Sequence, residues 1–147
     1  MFVNVQVEQT KLTLNTGGTV TADFVLPRAS RVISYFAVPI LADQAAHSTI
    51  VDTVTFTNKG TTGDGSTVVA ILTNDSDLAA STTRNSGAWN SGTLKEVNCE
   101  ARPVSADATD VADEYAANSV IHVDLLGAGT TPTANEFIVG VKYRVSD

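Results

Sequence analysis

A single cysteine, Cys99, is all that the 147 residues contain. One thiol excludes an internal disulfide and a quartet of thiolates around zinc, and in isolation it reads as a small buried hydrophobe rather than a nucleophile. Apolar runs of about eighteen residues, the length a membrane helix needs, are missing too, so no membrane partner is expected. The opening "MFVNVQVEQT" lacks the basic start and unbroken apolar stretch of a secretion signal. The expectation is a protein made in a cytoplasm. Charge is sparse: Asp, Glu, Lys and Arg make up 17% of the chain, and the formal balance is −7. The few basic residues are scattered, with no aromatics between them, and an acidic surface repels phosphate backbones. Direct nucleic-acid binding is therefore not expected.

What is abundant is Thr, Val, Ala and Ser, while the Lys, Glu and Arg that surface helices are scarce. Thr and Val suit pleated, half-buried surfaces. The order of residues agrees, because apolar and polar positions alternate with a period of two in segment after segment. Val3, Val5 and Val7 share one side of "FVNVQVE", against Asn4, Gln6 and Glu8. Leu12 and Leu14 share a side of "KLTLN", and Val20, Ala22, Phe24 and Leu26 a side of "TVTADFVL". "IVDTVTFT" turns Thr53, Thr55 and Thr57 outward, and "EFIVGVKYRV" lines up Phe137, Val139, Val141, Tyr143 and Val145. "RVISYFAV" and "TVVAILT" are apolar on both sides, which predicts central strands; "SVIHVDLL" is a further strand and "TLKEVNCEA" a weaker one.

Between these lie turn compositions such as "NTGGT", "NKGTTGDGS", "RNSGAWNSG" and "GAGTTPTAN". "SDLAAS" and "DVADEYAA" are long enough for a helical turn each and no more. The pattern predicts one all-β domain over residues 1–147: an antiparallel β-sandwich, jelly-roll-like, of about eight strands. A hairpin across Gly17 and Gly18 with a two-residue turn would set Leu14 against Thr21 and Leu12 against Asp23, apolar against polar. A three-residue loop restores a common apolar face, so an odd-length turn with a glycine at positive φ is expected there.

Few residues invite a chemical reading. Gly60 to Thr67, "GTTGDGST", comes near the phosphate-binding pattern G-x-x-x-x-G-K-[ST]. Ser66 occupies the place of the lysine, Asp64 would repel an anion, and a β-branched run follows where a helix should open. A strand, a turn and a second strand describe it better. The carboxylates at Asp107, Asp110, Asp113 and Glu114, and those at Asp75 and Asp77, lack the alternate spacing and distal glutamate of a calcium loop. His122 and Asp124 share a strand face, as two metal ligands or a base and its orienter would, yet no third partner is visible; His47 lies in a loop. No nucleophile elbow is present. No catalytic residue, metal ligand or cofactor site is assigned, and the chain is expected not to be an enzyme. Trp89, the one tryptophan, stands in the loop "SGAWNSG", where it could stack on a sugar or anchor an interface.

Taken together, the acidic Thr-, Ala-, Val- and Gly-rich β-chain, its turns "NKGTTGDGST" and "GAGTTPTAN", and its last strand "FIVGVKYRVSD" resemble the small head proteins of tailed bacteriophages, in particular capsid decoration (cement) proteins. The resemblance implies a non-enzymatic virion protein on the capsid exterior, made in the bacterial host's cytoplasm, that binds and stabilises the major capsid protein lattice as a homotrimer. It carries no catalytic residues. Phe2, Val3 and Val5 of the terminal strand, with Trp89, are the expected interface residues. The alternative is a carbohydrate- or receptor-binding β-sandwich of a tail fibre or adhesin, for which Trp89 speaks.

Overall fold

The computed structural model describes residues 4–14, 18–40, 51–74, 95–99, 113–128 and 135–145. In these the chain forms β1 (Val5–Leu14), β2 (Gly18–Leu26), β3 (Ser30–Pro39), β4 (Val51–Gly60), β5 (Thr67–Asn74), β6 (Lys95–Asn98), β7 (Glu114–Tyr115), β8 (Ser119–Ala128) and β9 (Asn135–Val145). One sheet has the order β1-β9-β3-β6, with the two-residue β7 also on β3; the other has the order β2-β8-β4-β5. Every pairing is antiparallel. The chain changes sheet after β1, β2, β3, β5, β7 and β8, staying in one sheet across the β4–β5 hairpin and from β6 to β7. This strand order, with its two nested Greek keys, is that of a jelly roll, as expected.

Most inward rows are those the alternation identified; Thr57, expected outward, is buried, at the register shift between Phe56 and Thr57. Phe137, Val139, Val141 and Tyr143 of β9 face Phe24 and Leu26 of β2, Ile121, Val123 and Leu125 of β8, and Val54 and Phe56 of β4 in one apolar core. The Tyr35 ring, fully buried on β3, packs against Phe56 with centroids 5.3 Å apart. At roughly 25 cal/mol per Å² of apolar surface removed from water, this shared interior is the main force holding the sheets together.

Three expectations change. No hairpin joins β1 to β2, because β1 pairs with β9 and β2 with β8. Facing strands of a sandwich alternate just as neighbouring ones do, so periodicity could not separate the two arrangements. Gly18 does take a positive φ, 135°, at the start of β2. Second, β5 is an edge strand rather than a central one. Ala70 pairs with Phe56 and Val68 with Thr57, so Val69 is the extra residue of a bulge. The bulge lets Val69 be buried along with Ala70 and Leu72, and the unbroken apolar run comes from it. Third, within "DVADEYAA" Glu114 and Tyr115 pair with β3 as β7, where a helical turn was expected; the turn expected at "SDLAAS" lies outside the described residues.

Candidate functional site

The glycine-rich segment is the turn of the β4–β5 hairpin. Gly60 and Gly63 hold φ of 66° and 83°, a region open to glycine. The Gly60 amide donates to Asn58 Oδ1 at 2.8 Å, and the Gly65 amide to the Lys59 carbonyl at 2.9 Å. Two amides that a phosphate loop would aim at its ligand are thus spent on the turn, and β5 follows where a helix would have to start.

The closest polar cluster lies on the outer face of the β2-β8-β4-β5 sheet. His122 of β8 stands beside Asp23 of β2 in the ladder. Its Nδ1 lies 2.6 Å from Asp23 Oδ1, and its Nε2 lies 3.1 Å from Asp124 Oδ1. Asp124 was visible from the sequence as a neighbour on the same strand. Asp23, 99 positions away, is brought in only by strand pairing, a relation that local spacing does not encode. The carboxylates occupy opposite edges of the ring, so they do not converge on one point. A metal ion or a proton-transfer partner needs one ring nitrogen open, and here both are engaged. Among the described residues no group of three His, Cys, Asp or Glu side chains could hold a metal ion. The arrangement ties β2 to β8.

Inside the sandwich, the Tyr35 and Tyr115 hydroxyls meet at 2.5 Å and fix β7 onto β3. Burial, and then the neighbouring Tyr115 hydroxyl, pushes the Tyr35 phenol well above its ordinary pKa. It stays a neutral hydrogen-bonding group. Tyr143 is raised as well, by burial and then by the Glu8 carboxylate. Cys99 is buried, its amide donating to the Ile33 carbonyl at 2.9 Å.

The expected interface residues divide. Val5 opens β1 and is 44% exposed; Phe2, Val3 and Trp89 lie outside the described residues, as do His47, Asp75, Asp77, Asp107 and Asp110. The sequence did not reveal that Val5 and Val7 belong to the outer face. Residues 4–9 are all exposed, although Gln6 and Glu8 stand on the same side of the strand as buried Leu12. β1 runs the length of β9 at the sheet's edge, and burial along its inward side begins only after Gln9, with Thr10 half-buried and Leu12 buried. The exposed Val5 and Val7, 44% and 48%, lie beside Arg144 and Lys142 of β9.

No protein-family model matches the chain, and no curated protein does. Among solved structures it is similar to chains of infectious bursal disease virus, in its Gx strain (TM-score 0.39, 12% identity) and its Gt strain (TM-score 0.39, 11% identity). A structure of the T13 viral particle follows with TM-score 0.28 and 12% identity. The matches cover 97% of this chain but 33%, 33% and 40% of those chains, so it spans about a third of the length of the first two.

Proposed function

We propose that the protein is a non-enzymatic structural component of a virion. The observation that carries this reading is the strand order, β1-β9-β3-β6 against β2-β8-β4-β5. Jelly rolls of this kind recur in viral capsid and lectin domains, where work is done by burying surface against neighbours. A fold alone does not determine a function, so the surface has to be consistent with it. Both described clusters that resembled chemistry, the Gly60–Thr67 turn and the His122 clamp, spend their polar groups on holding strands together. Exposed apolar side chains among the described residues, Val5 and Val7 on the β1 edge and Val25, Ile40 and Leu126 elsewhere, are left for contact.

The narrower form of the proposal is a decoration protein of a tailed phage, bound as a homotrimer to the outside of the major capsid lattice. Many weak contacts then act as one strong attachment. The test is co-sedimentation of the purified protein with empty heads of the phage that encodes it. Saturable binding, with a solution mass of three chains of 15.4 kDa or a multiple of that, is expected. Protein that stays in the supernatant at every ratio overturns the virion reading. Glycan binding abolished by Trp89→Ala, with assembly intact, would favour the carbohydrate-binding alternative.

A further inference from the structure

Among the described residues the outer edge of β1 is the longest unbulged sheet edge. Proteins blunt exposed edges by shortening them, bulging them or placing charges on them. β6 has four residues, β5 carries the bulge at Val69, and β2 presents Asp23 outward at mid-strand. Over residues 4–9 β1 is neither short nor bulged, and its one charge leaves the face of Val5 and Val7 apolar. It pairs with β9 at ten successive positions without a register shift, contains no proline, and has Glu8 as the one charged residue of that stretch, on the face opposite Val5 and Val7.

We infer that β1 is a seam at which a second copy of this chain adds antiparallel, about a two-fold axis through Gln6. The backbone edge specifies an extended strand as the occupant. Side-chain chemistry then selects the chain's own β1. With Gln6 opposite Gln6, Val5 of each copy stands against Val7 of the other, forming a four-valine cluster on one face, while Asn4 meets Glu8 on the other. Centring the axis on Glu8 opposes two carboxylates, and centring it on Gln9 sets Val7 against Lys11; like charges or mismatched partners directly across a ladder destabilise it. A foreign peptide would need pockets reading its alternate side chains. Here the valines are flanked instead by Lys142 and Arg144 on β9. A two-fold contact is self-complementary and closes on itself.

The inference goes beyond the virion reading and does not depend on it. The seam makes the number of copies even: two by itself, six where the threefold contacts of the decoration form are also made. The test uses the full chain. Directly opposed residues have Cα atoms roughly 4.5–5.5 Å apart, within disulfide reach. Gln6→Cys is therefore expected to cross-link into two-chain species on mild oxidation at least about tenfold faster than Glu8→Cys, whose counterpart lies opposite Asn4. Val7→Lys, at an exposed position, is expected to weaken association at least about tenfold and halve the mass measured by light scattering, with an unchanged circular dichroism spectrum. A strict monomer, an odd-numbered assembly indifferent to Val7→Lys, or equal cross-linking through both cysteine variants overturns the seam. Head binding that survives loss of the seam leaves the virion reading standing.

Discussion

Strands β1 and β9 are joined rung by rung from Val5↔Arg144 to Leu14↔Asn135, yet they live in different surroundings. Phe137, Val139 and Val141 of β9 are fully buried, with strands on both sides and the opposite sheet below. Among the described residues β1 has one strand beside it, and residues 4–9 of its first half are exposed. The difference teaches that pairing and burial are separate contributions. A ladder sets register and direction, whereas stability comes mainly from what the inward side chains displace from water.

The sharpest way to break that comparison is to empty the buried side of the ladder. Phe137→Ala on β9 is expected to lower unfolding stability by about 3–5 kcal/mol, read as a shift in the denaturant midpoint. Wild-type-like stability would mean that the ladder, not the core, carries the energy. Next in size is Gly140→Ala. A Cβ at Gly140 would come within 2.5 Å of both the Glu8 carbonyl oxygen and the Phe36 ring, which lies across the bare backbone there. Since a backbone oxygen cannot swing aside as a side chain does, a loss of about 1–3 kcal/mol is expected.

A smaller effect comes from the tyrosine pair under β3. Tyr35→Phe removes one buried hydrogen bond and is expected to cost about 0.5–1.5 kcal/mol near neutral pH. The pair also gives the fold an alkaline limit. Because the folded-state pKa of Tyr35 is raised, the unfolded chain releases this proton first. Stability is therefore full below about pH 10, the unperturbed tyrosine value, and falls as pH rises above it. Tyr35→Phe should flatten that fall, and an unchanged alkaline slope in the variant would show that other groups set it. The smallest effect belongs to the exposed edge. Val7→Thr is expected to change the stability of the dilute, dissociated chain by no more than about 0.5 kcal/mol. A loss comparable to that of Phe137→Ala would mean that Val7 is covered within the single chain.

The strands and most of their inward faces were legible because a period of two is local. Val20 through Leu26 and Phe137 through Tyr143 could be placed without knowing their neighbours. Strand pairing was not legible. Val7 and Leu12 each belong to an apolar row, but the two rows lie on opposite faces of β1, and alternation alone did not say which would meet the core. The apolar run in β5 was misread for a related reason, since a bulge and cover on both sides leave the same sequence trace. The His122 site shows this limit at the level of chemistry. Asp124 was legible from spacing, while Asp23 became a partner through the β2–β8 ladder, and with it the site changed from a possible reagent into a brace.

The place of β9 between β1 and β3 has a consequence for how the molecule is made. Synthesis runs from N- to C-terminus, so β9, the strand that bridges these two, is made after both of them. Until residues 135–145 emerge, the β1 and β3 ribbons have no backbone partner between them in that sheet. The sandwich must therefore close late and through contacts remote in sequence, a route that is slow for β-proteins. During that interval the nascent chain holds open ribbons that wait for β9 to zip them together.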